Sequence, residues 1–157
     1  MITGAMYGTV LDIHSWLRWF TLLTCVGGIV YAMRPPRAGT DALPGKTWDT
    51  YLMLAVDLQM LTGLVLYFGL SPYTMDAMNN PSAAFRVPAL RFWAITHAGA
   101  MFAALLTVRI ARVLAMNAAS PAIAQRRRLI WFVISLIVIL AAIPWPGTAH
   151  SRPLFRW

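Results

Sequence analysis

Five side chains stand out in a chain that is otherwise strongly apolar: His14 and Arg18, Asp57 with Gln59 two residues on, and His97. Each falls inside a long hydrophobic run, where an ionisable group costs roughly 2.5–3.5 kcal/mol on insertion scales and is a functional candidate by default. His14 and Arg18 are four residues apart, so a helix puts them on one face. Counting from Thr9 at about 1.5 Å per residue, His14 lies roughly 7 Å into its run. Counting from Arg91, His97 lies roughly 9 Å into its own. The spacing therefore predicts two imidazoles at similar depth on two antiparallel helices. The neighbours of His97 are small, among them Ala94, Ala98, Gly99 and Ala100. Small residues let helices approach closely and leave space for a flat cofactor.

Two histidines at matching depth on different helices suit a b-type haem, whose iron takes one nitrogen from each side. On that reading His14 and His97 are the metal ligands, and Arg91, near the mouth, pairs with the propionates. Arg18 lies deeper and is the weaker partner for them. Met101 shares a face with His97 at i+4, so it packs on the ring rather than supplying the opposite ligand. The competing reading makes both histidines interhelical hydrogen-bonding groups. Asp57, near the middle of its run, also has two readings. It neutralises Arg18 and pins the first two helices together, or with Gln59 it forms a proton or quinone site.

The composition sets the solvent. The chain has 157 residues, 59% of them apolar and 11% charged, with a mean hydropathy of +0.63. A soluble domain carries about 25% charged residues, so a free soluble globule is excluded. The net charge of +8 arises from 13 Lys and Arg against 5 acids, all Asp, scattered between apolar runs. That pattern does not indicate a nucleic-acid partner. A single cysteine, Cys25, rules out an intramolecular disulfide framework and any CxxC motif. No phosphate-binding Gly loop, HExxH helix or GxSxG elbow occurs. Copper is indicated only weakly, since Met75 and Met78 have no histidine nearby in sequence. His150 follows a Pro-Trp-Pro turn and is expected in solvent.

A bilayer core needs about 20 apolar residues per helix. Four runs qualify, at about 9–33, 48–70, 88–116 and 121–143, which makes the whole chain, 1–157, one all-α transmembrane domain, a four-helix up-down-up-down bundle. Breakers separate the runs: Arg34-Pro35-Pro36-Arg37, Ala42-Leu43-Pro44-Gly45, Ser71-Pro72, Asn79-Asn80-Pro81-Ser82 and Ile143-Pro144-Trp145-Pro146-Gly147. Ser120-Pro121 reads as the N-cap and first position of the fourth helix. The first run has no basic residue before Arg18 and no evident cleavage site, so it reads as a retained helix rather than a signal peptide. Arg34, Arg37, Lys46, Arg109, Arg112 and Arg126 to Arg128 fall on one side, and Arg86, Arg91, Arg152 and Arg156 on the other. The positive-inside rule then puts both termini outside. Trp48, Trp93 and Trp145 fall at run edges, where indoles favour the headgroup level. The Arg126–Arg128 cluster suits anionic headgroups or topology control.

Taken together, His14-Ser15-Trp16-Leu17-Arg18-Trp19, Asp57-Leu58-Gln59 with Gly63 and Leu66-Tyr67, Arg91-Phe92 leading to His97, and Ile143-Pro144-Trp145-Pro146 carry a resemblance. The chain resembles a family of short four-helix bacterial integral membrane proteins often labelled cytochrome b-like, from His14 to Pro146. Members often carry a further histidine two residues before the first, where this chain has Asp12, so a ligand set using that position does not transfer. The resemblance implies a bundle in the bacterial inner membrane with a b-type haem, and no particular reaction.

Two functions therefore stand side by side. One is a b-type cytochrome-like electron-transfer protein with one haem between the first and third spans, and a quinone as a further cofactor. The other is a non-enzymatic accessory subunit of a larger respiratory or photosynthetic membrane complex. The partners expected are the lipid bilayer, that larger complex or further copies of the chain, and no nucleic acid.

Overall fold

Prolines open four of the helices of this chain, at Pro72, Pro81, Pro88 and Pro121. The computed structural model describes residues 2–35 and 45–156. Among these there are seven α-helical pieces and no strand. α1 covers Ile2–Ala32, α2 Lys46–Val65, α3 Pro72–Asn79 and α4 Pro81–Arg86. α5 covers Pro88–Arg91, α6 Ala98–Met116 and α7 Pro121–Ala142. Two wider π-helical turns, Leu66–Leu70 and Phe92–His97, continue α2 and join α5 to α6.

Among the described residues, three helical stretches are long and apolar enough to cross a membrane: Gly4–Ala32, Lys46–Leu70 and Pro88–Met116. They correspond to the first three expected spans, except that α1 begins at Ile2, well before Thr9. The segment expected as the fourth span forms the helix α7, which is not one of these three, and Ser120 caps it as expected: its side chain accepts from the Ile123 N–H at 3.3 Å. The arginines at 126–128 leave residues 129–142 as its uninterrupted apolar stretch, about 21 Å of helix. Pro36, Arg37 and Ala42 to Pro44 lie outside the described residues.

The segment between α2 and α5 differs from the loop expected there. Pro72 and Pro81 open the short helices α3 and α4 rather than merely breaking the chain. Proline's missing N–H costs nothing at a first helical position, and the Asn80 side chain accepts from the Ala83 N–H.

Packing joins α1 to α2 and α7, and α6 to α2 and α7. The contacts run in opposite senses along each pair. Thr21 reaches the Ala55 carbonyl while His14 reaches Thr62. Thr107 bonds Ser135 at 2.7 Å while His97 reaches Ala142. One end is packed solid around Cys25, Leu52, Val56, Val108, Ala111 and Phe132. Gly28 makes this possible, because a Cβ there would lie 2.7 Å from the Phe132 ring.

Candidate functional site

The opposite end of the assembly is hollow. A cavity of about 380 Å³ lies between α1, the second half of α2 with its π-helical turn, the start of α6 and the end of α7. That volume falls in the range of small-ligand pockets. His14, Arg18, Gln59, Gly63, His97 and Met101 all line it. Both π-helical turns contribute walls, through Leu66, Tyr67 and Phe68 on one side and Trp93 and His97 on the other. Such wide turns recur at functional sites, and these two are tied together where the Tyr67 hydroxyl donates to the Ala94 carbonyl at 3.0 Å.

The two imidazoles face each other across this space with ring centres 6.3 Å apart and planes at 66°. The Nδ1 of each has a partner. His97 Nδ1 lies 2.9 Å from the Ala142 carbonyl. A carbonyl only accepts, so Nδ1 carries the proton and the neutral ring leaves its Nε2 lone pair available. The local sequence explains why that carbonyl is free. Its helical partner four residues on is Pro146, which has no N–H, and Pro144 likewise orphans the Leu140 carbonyl. Trp145 Nε1 satisfies Leu140 at 2.8 Å, and His97 satisfies Ala142. The Ile143-Pro144-Trp145-Pro146 segment thus helps to orient the His97 ring.

His14 is held from α2. Its Nδ1 is 3.0 Å from the Thr62 hydroxyl, which gives its own proton to the Leu58 or Gln59 carbonyl. The Thr62 oxygen therefore accepts from His14, and Nε2 accepts from the Gln59 amide at 3.0 Å. Gln59 is only 9% exposed, yet its Oε1 has no hydrogen-bond partner. Gly63 supplies clearance beside the ring: a Cβ there would come within 3.2 Å of His14 Cε1.

Comparison with protein-family models, curated proteins and solved structures returns no match. The site must therefore be read from its own chemistry. The donor set fits a haem. His14 and His97 would hold the iron through one ring nitrogen each, and their ring centres, 6.3 Å apart, leave room for it. A hydrogen bond on each Nδ1 is the outer-shell arrangement that fixes a metal-binding histidine and leaves Nε2 as ligand. For His14 Nε2 to act as a ligand, the Gln59 amide, now 3.0 Å from it, would have to turn away.

The remaining candidates are distributed differently from the sequence expectation. Asp57 does not pair with Arg18. Its carboxylate accepts from Arg109 Nη2 at 2.8 Å, with the side chains 43% and 41% exposed respectively. Asp57 also does not line the cavity, so Asp57 and Gln59 do not form one site. They are two residues apart on a helix, about 200° around its axis. Arg91 is exposed and does not line the cavity. His150 is not free in solvent but stacks on Phe92, with centres 4.5 Å apart.

The sequence reading missed the strap formed by residues 144–156. It folds back over the cavity, with the Arg152 N–H bonded to the Pro144 carbonyl at 3.1 Å. The indoles of Trp16 and Trp19 donate to the carbonyls of Arg156 and Leu154. Arg18 Nη2 also donates to the Leu154 carbonyl, and Phe155 stacks on Trp19 at 5.2 Å. The signal was present in Leu154-Phe155, an apolar pair in a polar tail, and in indoles three residues apart on α1. Arg152 and Arg156 reach the cavity through this strap.

Proposed function

We propose that this chain is a small b-type cytochrome-like membrane protein, with one haem held between His14 and His97. The observation that carries this reading is the imidazole pair: two rings 6.3 Å apart on different helices, each with its Nδ1 occupied by a hydrogen bond. When bound, haem supplies reversible one-electron chemistry at its iron. The protein's part is to hold and to shield. Thr62 and the Ala142 carbonyl keep both rings in one tautomer, which leaves Nε2 as the ligand atom. Met101, Ala104 and Ile139 give the cavity apolar walls that exclude water. The Pro144–Arg156 strap covers its outer end.

The setting belongs to the same proposal. The three membrane-length helices and the apolar stretch of α7 support a four-helix up-down-up-down transmembrane bundle. The charge asymmetry supports an orientation with both termini outside, and the bacterial inner membrane is the setting that the resemblance implies. The resemblance to cytochrome b-like proteins points the same way.

The test is a reduced-minus-oxidised absorbance spectrum of the purified protein, or of apoprotein titrated with haem. A low-spin b-type spectrum is expected in the wild type. It should be lost in His14→Ala and in His97→Ala, with helicity by circular dichroism retained. A wild type that gives no such spectrum after haem titration overturns the reading.

A second reading, an accessory subunit of a larger membrane complex, draws on one observation. The Asp57–Arg109 pair opens onto a face where Leu54, Leu58, Leu61, Leu106 and Ile110 are exposed. An ion pair facing hydrocarbon is costly, and a covering partner helix removes that cost. Colourless protein that co-purifies stoichiometrically with a respiratory or photosynthetic complex favours this reading over the first.

A further inference from the structure

Three arginines line the cavity. Arg18 comes from α1, and Arg152 and Arg156 from the strap that folds over it. Arg18 is 9% exposed, and its Nε has no hydrogen-bond partner. Arg152 lies against two cavity-lining rings, 5.1 Å from the centre of Trp93 and 5.6 Å from that of Tyr73. Packing against aromatic faces fixes a guanidinium plane and leaves its edge donors available. Arg156 Nη1 is 3.8 Å from Asp12 Oδ1, too long for a hydrogen bond. Among the described residues, Asp12 is the one carboxylate within 4.0 Å of these three groups.

Like charges gathered at an apolar cavity call for an anion. Arg18 and Arg156 are near enough to repel each other, and that repulsion reverses to attraction when a negative group sits between them. The cavity below them is mainly apolar, so the ligand that suits both parts is an amphiphile with an acidic edge. Guanidinium forks match carboxylates in geometry and in charge.

We propose that Arg18, Arg152 and Arg156 form a carboxylate clamp that recognises the propionates of a porphyrin seated in the cavity, the part expected of Arg91. The clamp rests on a porphyrin as the occupant but not on ligation of its iron. It predicts that the acidic edge lies at the strap, so the Pro144–Arg156 segment is part of the binding site rather than a tail.

The test uses metal-free protoporphyrin IX and its dimethyl ester. The two share the ring and differ in whether the propionates are charged, and neither contains iron. Binding to the full-length apoprotein in nanodiscs is followed by quenching of tryptophan fluorescence. The acid should bind at least about tenfold more tightly than the diester, the scale of a charge-assisted hydrogen bond. In Arg152→Gln/Arg156→Gln that preference, the ratio of acid to diester affinity, should fall towards one, with helicity retained. Arg91→Gln should keep the full preference. Raising salt from 0.05 to 0.5 M should reduce acid affinity in the wild type and leave the diester alone. Equal binding of acid and diester by the wild type, or a preference that survives in the double variant, overturns the clamp. So does an absence of any porphyrin binding. Failure of the iron-ligation reading looks different: the acid preference persists, while haem gives no low-spin spectrum and His14→Ala changes nothing.

Discussion

At the end of the assembly where α1 finishes and α7 begins, Asp49 grips Arg128 through two bonds of 2.7 Å, with each side chain 1% exposed. At the other end, Gln59 and Arg18 are almost as buried but each leaves a polar atom unpaired beside the cavity. The same apolar helices surround both groups, so burial alone does not distinguish them. Satisfaction does. The Asp49–Arg128 pair answers its own desolvation, the carboxylate accepting two bonds from the guanidinium. Gln59 Oε1 and Arg18 Nε have no such answer among the described residues, and a buried polar atom without a partner calls for an explanation. The closed end holds the helices in place. The hollow end leaves polar atoms of Gln59 and Arg18 without partners among the described residues, beside a cavity that both residues line.

The largest expected effect breaks the closed end. Arg128→Ala removes one partner of a bidentate pair and strands the Asp49 carboxylate in a packed interior. Breaking a buried pair in this way costs about 3–5 kcal/mol. Unfolding in mixed micelles followed by circular dichroism should show that loss. The double variant Asp49→Leu/Arg128→Met should recover most of it, because an apolar pair of similar volume has no charge to bury. A single variant as stable as the wild type would remove the structural role given to this pair.

The contrast between the ends also marks how far the sequence could be read. Long apolar runs specified the long helices, because nothing in them interrupts the helical hydrogen bonds. Ser120-Pro121 specified a cap, because its chemistry is local. Depth along a helix was legible too: a fixed rise per residue puts His14 and His97 at one level, and their rings are 6.3 Å apart. Rotation about the axis and the choice of neighbour were not legible. Asp57 was expected to meet Arg18, yet antiparallel α2 and α6 bring Arg109 to its level, while Arg18 turns towards the strap. Arg91 shares an end with His97 but lies six residues away, roughly 240° around an ideal helix. The strap escaped notice because its bonds reach 135 to 140 residues back along the chain, to Trp19, Arg18 and Trp16. The short helices α3 and α4 escaped because proline breaks one helix and starts another equally well.

A middle-sized effect tests whether the closed end is rigid beyond its ion pair. Ser120 caps α7 by accepting from the Ile123 N–H, six residues before the arginine cluster begins. Ser120→Ala leaves that donor to solvent and should cost about 1 kcal/mol. Hydrogen exchange should quicken at the first turn of α7 and stay unchanged at its far end, where Ala142 meets His97. Faster exchange around Ala142 would mean that the two ends are coupled and the contrast between them too sharply drawn.

The smallest effect on stability belongs to the hollow end, and it separates the two ends most cleanly. Gln59→Leu leaves His14 Nε2 without its donor, a penalty of about 1–3 kcal/mol for a buried acceptor. It also removes the stranded Oε1, whose burial without a partner costs about 1–3 kcal/mol. The two terms oppose each other. The variant should therefore unfold within about 1 kcal/mol of the wild type, or be slightly more stable, although it loses a buried polar side chain in mid-helix. Micelle unfolding measures that directly. A loss approaching that of Arg128→Ala would show that Gln59 is as structural as the closed-end pair. A near-neutral result would mean that the polar groups at this end are kept for some purpose other than folding. His14 Nε2, freed of the amide, would then be the atom to follow.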